Sequence, residues 1–431
     1  MTESHPSPSS SARQEFTGTL TPAEERFEAL RRRTGIFLAP TVFLLVLLWP
    51  LPSLTPEAHR VAAIVAATVC LWITEALPLA VSGILGPTLA VVFGVTTANK
   101  AFAPFADPIM FLFLGSFILT RAIYYYQLDR RVAYLVLTQR WINESPARIL
   151  FAYGAVCCGI SMWISNTAAT AMMFPIGIAL INTLRQINKD AITKGYASAI
   201  MLMCAFAASV GGLATPVGTP TNIIGLGFIE QQLHRKVSFL EWMSFGVPIV
   251  IILYLLLFAC LYQLCGATVK QRLQGVRDIL LAEQAQLGRM SAGERNTLIA
   301  FLVTVVLWVT PGILALTLGD KHHWTLIYAK RLPESAAALL GAALLFLLPI
   351  NWKKHEFTLT IKEAVNIDWA VMALYGGGIA LGNMVFDTKL AYTIGESLTG
   401  LLPSGGYGLI GSVAIITTIA SELTSNVAAA N

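Results

Sequence analysis

Eleven apolar stretches dominate the chain, at roughly 35–53, 60–78, 79–95, 108–127, 148–183, 196–230, 245–266, 296–318, 335–350, 367–387 and 406–431. Most are about as long as the ~20 residues that a helix needs to cross a ~30 Å hydrocarbon layer. Within such a layer every backbone polar group must find its partner inside the protein, so segments of this kind fold as helices. Only 12% of the residues are charged, against about 25% in soluble domains. The fold class is therefore an all-α polytopic membrane protein. The six cysteines (Cys70, Cys157, Cys158, Cys204, Cys260, Cys265) lie in apolar runs and read as small buried hydrophobes. The six histidines fall in polar connections, and the sequence carries no HExxH, Cys/His metal spacing, phosphate loop or catalytic triad. That argues for a protein that is not an enzyme and has no cofactor.

Two runs do not fit a single span. The first, 148–183, is too long for one helix and has no polar loop to divide it. At ~1.5 Å per residue, half of it reaches about 27 Å. A re-entrant hairpin that enters and leaves by one face fits, with its tip near Ser165 and Asn166. The second, 196–230, is interrupted by Gly211-Gly212-Leu-Ala-Thr215-Pro216-Val-Gly218-Thr219-Pro220-Thr221-Asn222. Prolines and glycines at that density end a helix, so a helix, an unwound stretch and a second helix are expected. Unwound backbone at membrane depth is tolerated where it is buried or lines a cavity.

Charge assigns the connections to sides. The stretches 1–34, 128–147 with the adjoining Arg148, 184–195, 267–295 and 351–366 hold 20 of the 29 lysines and arginines. The stretches 54–60, 96–107, 231–244, 319–334 and 388–405 hold 8. By the positive-inside rule the first set is cytoplasmic, the N-terminus included, in an inner (plasma) membrane. Thr21-Pro22-Ala-Glu24 reads as a helix start in the tail. That tail helix is expected to end in Arg31-Arg32-Arg33, before the first span begins at Gly35. No small-residue cleavage site follows that run, so it is not a signal peptide.

The chain also repeats itself. Leu71-Trp72-Ile-Thr74 returns as Leu307-Trp308-Val-Thr310. Asp107, Gly115 and Ile118 return as Asp368, Gly376 and Ile379, a shift of 261 (368 − 107). Ser161-Met-Trp-Ile-Ser165-Asn166-Thr167 is answered by Ser421-Glu-Leu-Thr424-Ser425-Asn426-Val427. Five crossings and one hairpin per repeat make the second repeat run upside down, a transporter signature. The resulting division is a tail at 1–34, a first span at 35–59 outside the repeat, repeat one at 60–266, a connector at 267–295 and repeat two at 296–431. The second hairpin occupies 406–431.

Both hairpin tips carry hydroxyls and an amide inside apolar sequence, where polar groups are costly unless partnered or used. Carbonyl, Asn and Ser oxygens suit a hard monovalent cation. Hydroxyls, the Asn amide N–H groups and the start of the second arm suit an anion. One tip can hold both. Glu75 and Arg121 read as span-end residues, Glu422 as a polar group of the second hairpin, and Gly376-Gly377-Gly378 as a packing feature.

The run Ser161-Met-Trp-Ile-Ser-Asn-Thr-Ala-Ala-Thr-Ala-Met-Met-Phe-Pro175, the Gly218-Thr-Pro-Thr-Asn222 break and the Ser421-Glu-Leu-Thr-Ser-Asn426 hairpin resemble the divalent anion–sodium symporters, from about residue 36 to the end. The resemblance implies sodium-coupled symport of dicarboxylates such as succinate or malate by an elevator mechanism, in a homodimer. It implies one sodium site at Ser161, Ser165, Asn166 and Gly218 and a second at Ser421, Thr424 and Asn426. It implies substrate contacts at Ser165, Asn166, Thr167, Thr219, Ser425 and Asn426. A sodium-independent dicarboxylate or citrate exchanger and a sulfate symporter are alternatives, and a non-transporting membrane binding protein a remote one. Val427 departs from Thr167 of the first copy. The second hairpin's return arm, a second broken helix and two spans are also wanting, so the repeat rule leads us to expect roughly 60–90 further residues.

Overall fold

A computed structural model describes residues 22–142, 145–187, 194–265, 276–399, 406–423 and 426–430. In chain order come α1 (Pro22–Leu48), α2 (Pro56–Thr74), α3 (Leu79–Val92), a short α4 (Ala98–Phe102), α5 (Pro108–Tyr125) and α6 (Leu128–Leu137). There follow α7 (Pro146–Ser161), α8 (Asn166–Ile187), α9 (Lys194–Gly211), α10 (Pro220–Leu233), α11 (Phe239–Leu264) and α12 (Val276–Gln286). The chain continues as α13 (Ala292–Leu318), α14 (His323–Arg331), α15 (Glu334–Leu347), the short α16 (Ile361–Ala364), α17 (Trp369–Asp387), α18 (Leu390–Thr399), α19 (Gly406–Leu423) and α20 (Asn426–Ala430). One small antiparallel ribbon, β1 (Pro349–Asn351) with β2 (Glu356–Phe357), lies between α15 and α16. Six described segments, 56–74, 98–125, 194–211, 239–264, 292–318 and 369–387, are long and apolar enough to cross a membrane. Ile252, Leu256, Val306 and Leu316 on α11 and α13 are exposed, as on helices that face lipid rather than water.

Local chemistry sets where these helices start. Thr55 accepts from the Ala58 N–H and Pro56 follows it, opening α2. Ser291 and Glu294 close a capping box on α13. Asp107 caps α5 through the Ile109 N–H (2.9 Å), and Asp368 caps α17 through the Val371 N–H (3.3 Å). The expectation for the tail needs correction. No helix ends at Arg33, because α1 runs unbroken from Pro22 through Leu48. Arg31 pairs with Glu75 at the end of α2 (3.0 Å), and Arg32 lies 3.7 Å from Glu28 one turn back. The chain can therefore stay helical through its basic run. Gly35 is not a helix end; it lets α1 close on Thr74 and Ala76.

Among the described residues apolar side chains pack into four clusters, the smallest of which joins α5, α13, α15 and α16. The largest joins α6, α7, α8, α9, α11 and α12. A second joins α5, α10, α13, α15 and α17, and a third joins α2, α3 and α17. The α9–α10 break thus leads from the first cluster into the second. One close crossing tightens the second cluster and another joins it to the third. Gly115 on α5 meets the Ala338 backbone on α15, where an added Cβ would lie 2.5 Å from the carbonyl carbon. Gly377 on α17 meets the Gly83 backbone on α3, leaving no space for a Cβ.

The helices α7 and α8 fold back side by side. Tyr153 Oη donates to the Met173 carbonyl (2.8 Å), and these residues stand equally far from position 163. Helix α9 runs along α7 in the same direction: Tyr196 near its start donates to the Pro146 carbonyl (2.9 Å), and Gly211 at its end touches the Cys158 backbone. At one end of the bundle the connections around α6, α12 and the ribbon are tied together. Arg131 pairs with Glu294 (2.7 Å), Arg277 Nε donates to the Thr138 carbonyl (3.1 Å), and Asn296 donates to the Pro349 carbonyl (3.0 Å) and to Thr358 (2.9 Å). At the other end Gln231 donates to Asp107 (3.0 Å) and Gln232 to Asn383 (3.4 Å).

Candidate functional site

Four helix ends converge. Helices α7 and α9 finish, and α8 and α10 begin, at the turn 162–165 and the unwound stretch 212–219. Helix N-termini carry partial positive charge and C-termini partial negative charge. Such a place can hold an anion and a cation as neighbours.

The side chains tie the turn to the break. Ser161, fully buried as the last residue of α7, donates to Asn166 Oδ1 (2.8 Å). Ser165 caps α8 by accepting from the Ala168 N–H (3.3 Å). Asn166 Oδ1 lies against the Gly212 backbone, where any side chain would collide with it. At Gly218 an added Cβ would stand 2.6 Å from the Gly212 carbonyl oxygen and 3.0 Å from those of Met162 and Ser161. The chain therefore packs three carbonyl oxygens around a position that only glycine can fill. Thr219 is extended ahead of α10, with Oγ1 3.3 Å from Thr221 Oγ1. Thr167 is exposed. Among the predicted site residues the structure thus brings Ser161, Asn166 and Gly218 together, with Ser165 and Thr219 beside them in the turn and the break.

Of the second motif less is described. Ser421 Oγ donates to the Thr418 carbonyl within α19 (3.1 Å), and Glu422 is exposed. Thr424 and Ser425 lie outside the described residues. Asn426 is exposed at the start of α20, which packs against α10 and α17. Val427 joins the two clusters that meet there.

Three residues that belong to the quoted motifs, but were not named as site residues, hold the assembly. Thr215, fully buried, donates to the Met162 carbonyl (2.5 Å) and accepts from the Gly218 N–H (3.1 Å), so one hydroxyl joins turn to break. Asn222, 5% exposed, donates to the carbonyls of Gly212 (2.8 Å) and Thr215 (2.9 Å). Both lie within the Gly211–Asn222 motif, so a search for every polar side chain beside its prolines would have found them. Trp163 at the turn stacks on Phe239 (6.3 Å, 15°), which stacks on Trp308 (4.9 Å, 15°). Trp163 stands inside the quoted motif, between Ser161 and Ser165, but nothing in the sequence marks Phe239 and Trp308 as its partners.

The donors are neutral. No lysine or arginine occurs in 161–170 or 211–222. No group of three or more His, Cys, Asp or Glu occurs among the described residues. Carbonyl, hydroxyl and amide oxygens of this kind suit a weakly hydrated hard cation better than a transition metal.

The profile of the sodium:sulfate symporter transmembrane region matches residues 31–430. The chain belongs to the sodium:sulfate symporter family. The chain is 32% identical over 403 residues to the sodium-dependent dicarboxylate transporter SdcS of Staphylococcus saprophyticus, covering 92% of this chain and 76% of that protein. It is 30% identical over 403 residues to the protein of the same name from Staphylococcus aureus, covering 92% and 75%. With family membership and its apolar helices together, this symporter-family chain is an integral, multi-pass membrane protein. Its family is one of transporters, which points away from enzymatic chemistry.

Proposed function

We propose that the protein is a secondary active transporter that moves a C4-dicarboxylate, such as succinate or malate, together with sodium. The observation that carries this reading is the meeting of Ser161 and Asn166 with Gly212 and Gly218, which gathers neutral oxygens and four helix ends at one place. Sodium binds at Ser161, Ser165, Asn166 and Gly218, and the carboxylates meet Ser165, Asn166, Thr167 and Thr219. Ser421, Thr424, Ser425 and Asn426 supply the second half of the site. The relatives named for sodium-dependent dicarboxylate transport support the choice of ion and solute. A dianion entering a negative interior is opposed by about 2.3 kcal/mol per charge per 100 mV. Without a lysine or arginine at the tip, co-moving sodium offsets that charge.

The architecture in this reading is two inverted repeats. The capping aspartates Asp107 and Asp368 and the paired crossings of α5 on α15 and of α17 on α3 support it. So do the left-handed elbows at Gln127 (φ 51°) and Lys389 (φ 61°), each followed by a ten-residue helix. The hairpin α7–α8, the broken pair α9–α10 and α11 move as a carrier against a scaffold of α1–α5 and α13–α17. The scaffold dimerises, and the N-terminus faces the cytoplasm of the plasma membrane.

Proteoliposomes given labelled succinate test the ion and solute together. Uptake driven by an inward sodium gradient, and competed by malate but not by monocarboxylates, is expected. Uptake that persists without sodium but requires internal dicarboxylate would identify an exchanger instead. Competition by sulfate in place of malate would reassign the solute.

A further inference from the structure

We propose that the outward face of α1 binds one anionic phospholipid, with its phosphate on Arg33 and an acyl chain along the apolar residues that follow. The three arginines at 31–33 stand in different surroundings. Arg31 pairs with Glu75 (3.0 Å), and Arg32 lies near Glu28 (3.7 Å) and Glu75 (4.0 Å). Arg33 is exposed and has no ion pair among the described residues. Helical residues step by about 100°, so Arg33 shares a face with Arg26, Phe37 and Leu44, each within about 40° of it. Glu24, Glu28 and the buried Gly35 and Ala39 lie more than about 110° away, and Glu25 about 80° to one side.

Helix α1 runs antiparallel to α2, which is long and apolar enough to cross a membrane. Gly35 closes on Thr74 at the end of α2, and the Val46 carbonyl lies 2.6 Å from His59 Nε2 near its start. Arg33 therefore stands level with the end of that span, where headgroups lie, and Leu44 stands within it. Leu30, Arg33, Thr34, Phe37, Leu38 and Thr41 line one shallow concavity of the outward face, and all six are exposed. Its two hydroxyls are already used: Thr34 donates to the Leu30 carbonyl (2.8 Å) and Thr41 to the Phe37 carbonyl (2.7 Å). What remains is one guanidinium beside an apolar strip that continues through the exposed Leu44 and Leu48. Charge at the end of the span and apolar surface within it is the order of a phospholipid, head and then chain. A guanidinium presents a planar fork of donors that fits a phosphate bidentately. Arg26, about 10 Å farther out on the same face, adds a second positive charge. Two positive charges with no carboxylate on their face favour a lipid of net negative charge over a zwitterionic one, which carries its own cation.

Native mass spectrometry of the whole chain, with phosphatidylglycerol or phosphatidylcholine added to the detergent, tests this by the retention of a first bound lipid. The wild type is expected to retain phosphatidylglycerol at least about fivefold better than phosphatidylcholine, the worth of one arginine beside an anionic lipid. Arg33→Gln should lower that preference by about fivefold, and Arg26→Gln by less. Arg33→Lys keeps the charge and should restore most of it. Arg235→Gln serves as the control, because Arg235 is also exposed but is paired with Glu241 (2.7 Å) on another part of the molecule. It should leave the preference unchanged. A wild type that retains both lipids equally, or a preference that Arg33→Gln leaves intact, would overturn the site. Equal losses in Arg33→Gln and Arg235→Gln would also overturn it, since net charge alone would then account for the selection.

Discussion

At the scale of the residue, the candidate site depends on small groups in tight places. Gly218 and Gly212 are needed because carbonyl oxygens and Asn166 Oδ1 occupy the space a side chain would take. Thr215 matters because its one hydroxyl serves both sides of the gap. Away from the site, Asp129 on α6 makes a pH-dependent prediction. It is 4% exposed and one of its carboxylate oxygens has no partner. Burial pushes its pKa from 3.8 up to about 6, against the opposing pull of the Arg130 backbone N–H and the Arg130 charge. A raised carboxyl pKa means that the fold prefers the protonated form. The stability this group contributes is complete below about pH 4 and is lost as pH rises through about 6. Asp129→Asn should therefore stabilise the protein at pH 7–8 by as much as ~3 kcal/mol, with the advantage shrinking below pH 6 and gone near pH 4. Thermal unfolding in detergent across that range measures it.

At the scale of the element, the fold-back of α7 on α8 and the α9–α10 break were legible because each involves a conflict between sequence and helix. An apolar run was too long for one span, and prolines and glycines stood where a helix should continue. Ser161, Asn166 and Gly218 were named together through the resemblance to the divalent anion–sodium symporters, and they meet where the hairpin turn touches the break. Other features left no such mark. The tail helix was expected to stop at its three arginines, yet it continues because Glu75, distant in sequence, pairs with Arg31. The elbows at Gln127 and Lys389 use residues that give no sign of a left-handed turn. The ribbon of β1 and β2 is two to three residues per strand, too short for any periodicity to register. The Gly376–Gly378 run was read as a packing feature, and Gly377 does lie directly against the Gly83 carbonyl oxygen. Gly377→Ala has to separate α17 from α3 and should cost about 1–3 kcal/mol, as overpacking does. The loss would appear as reduced yield of folded protein and an earlier melting transition. Wild-type melting in that variant would show that the crossing can open without penalty.

At the scale of the molecule, paired helices adjoin a hairpin and a broken helix whose ends meet. In the proposed transporter bound cations, rather than basic side chains, would balance the solute's charge, so transport should fail when the cation site is weakened even if the solute contacts remain. The measurement that bears on this most directly is the sodium dependence of labelled-succinate uptake in proteoliposomes, for the wild type and for Asn166→Ala. The account predicts uptake that rises steeply with sodium in the wild type. In Asn166→Ala, losing a ligand oxygen worth about 1.4 kcal/mol or more should raise the half-saturating sodium concentration at least about tenfold. Equal wild-type uptake in sodium and in potassium, or an Asn166→Ala curve that overlies the wild-type one, would contradict it.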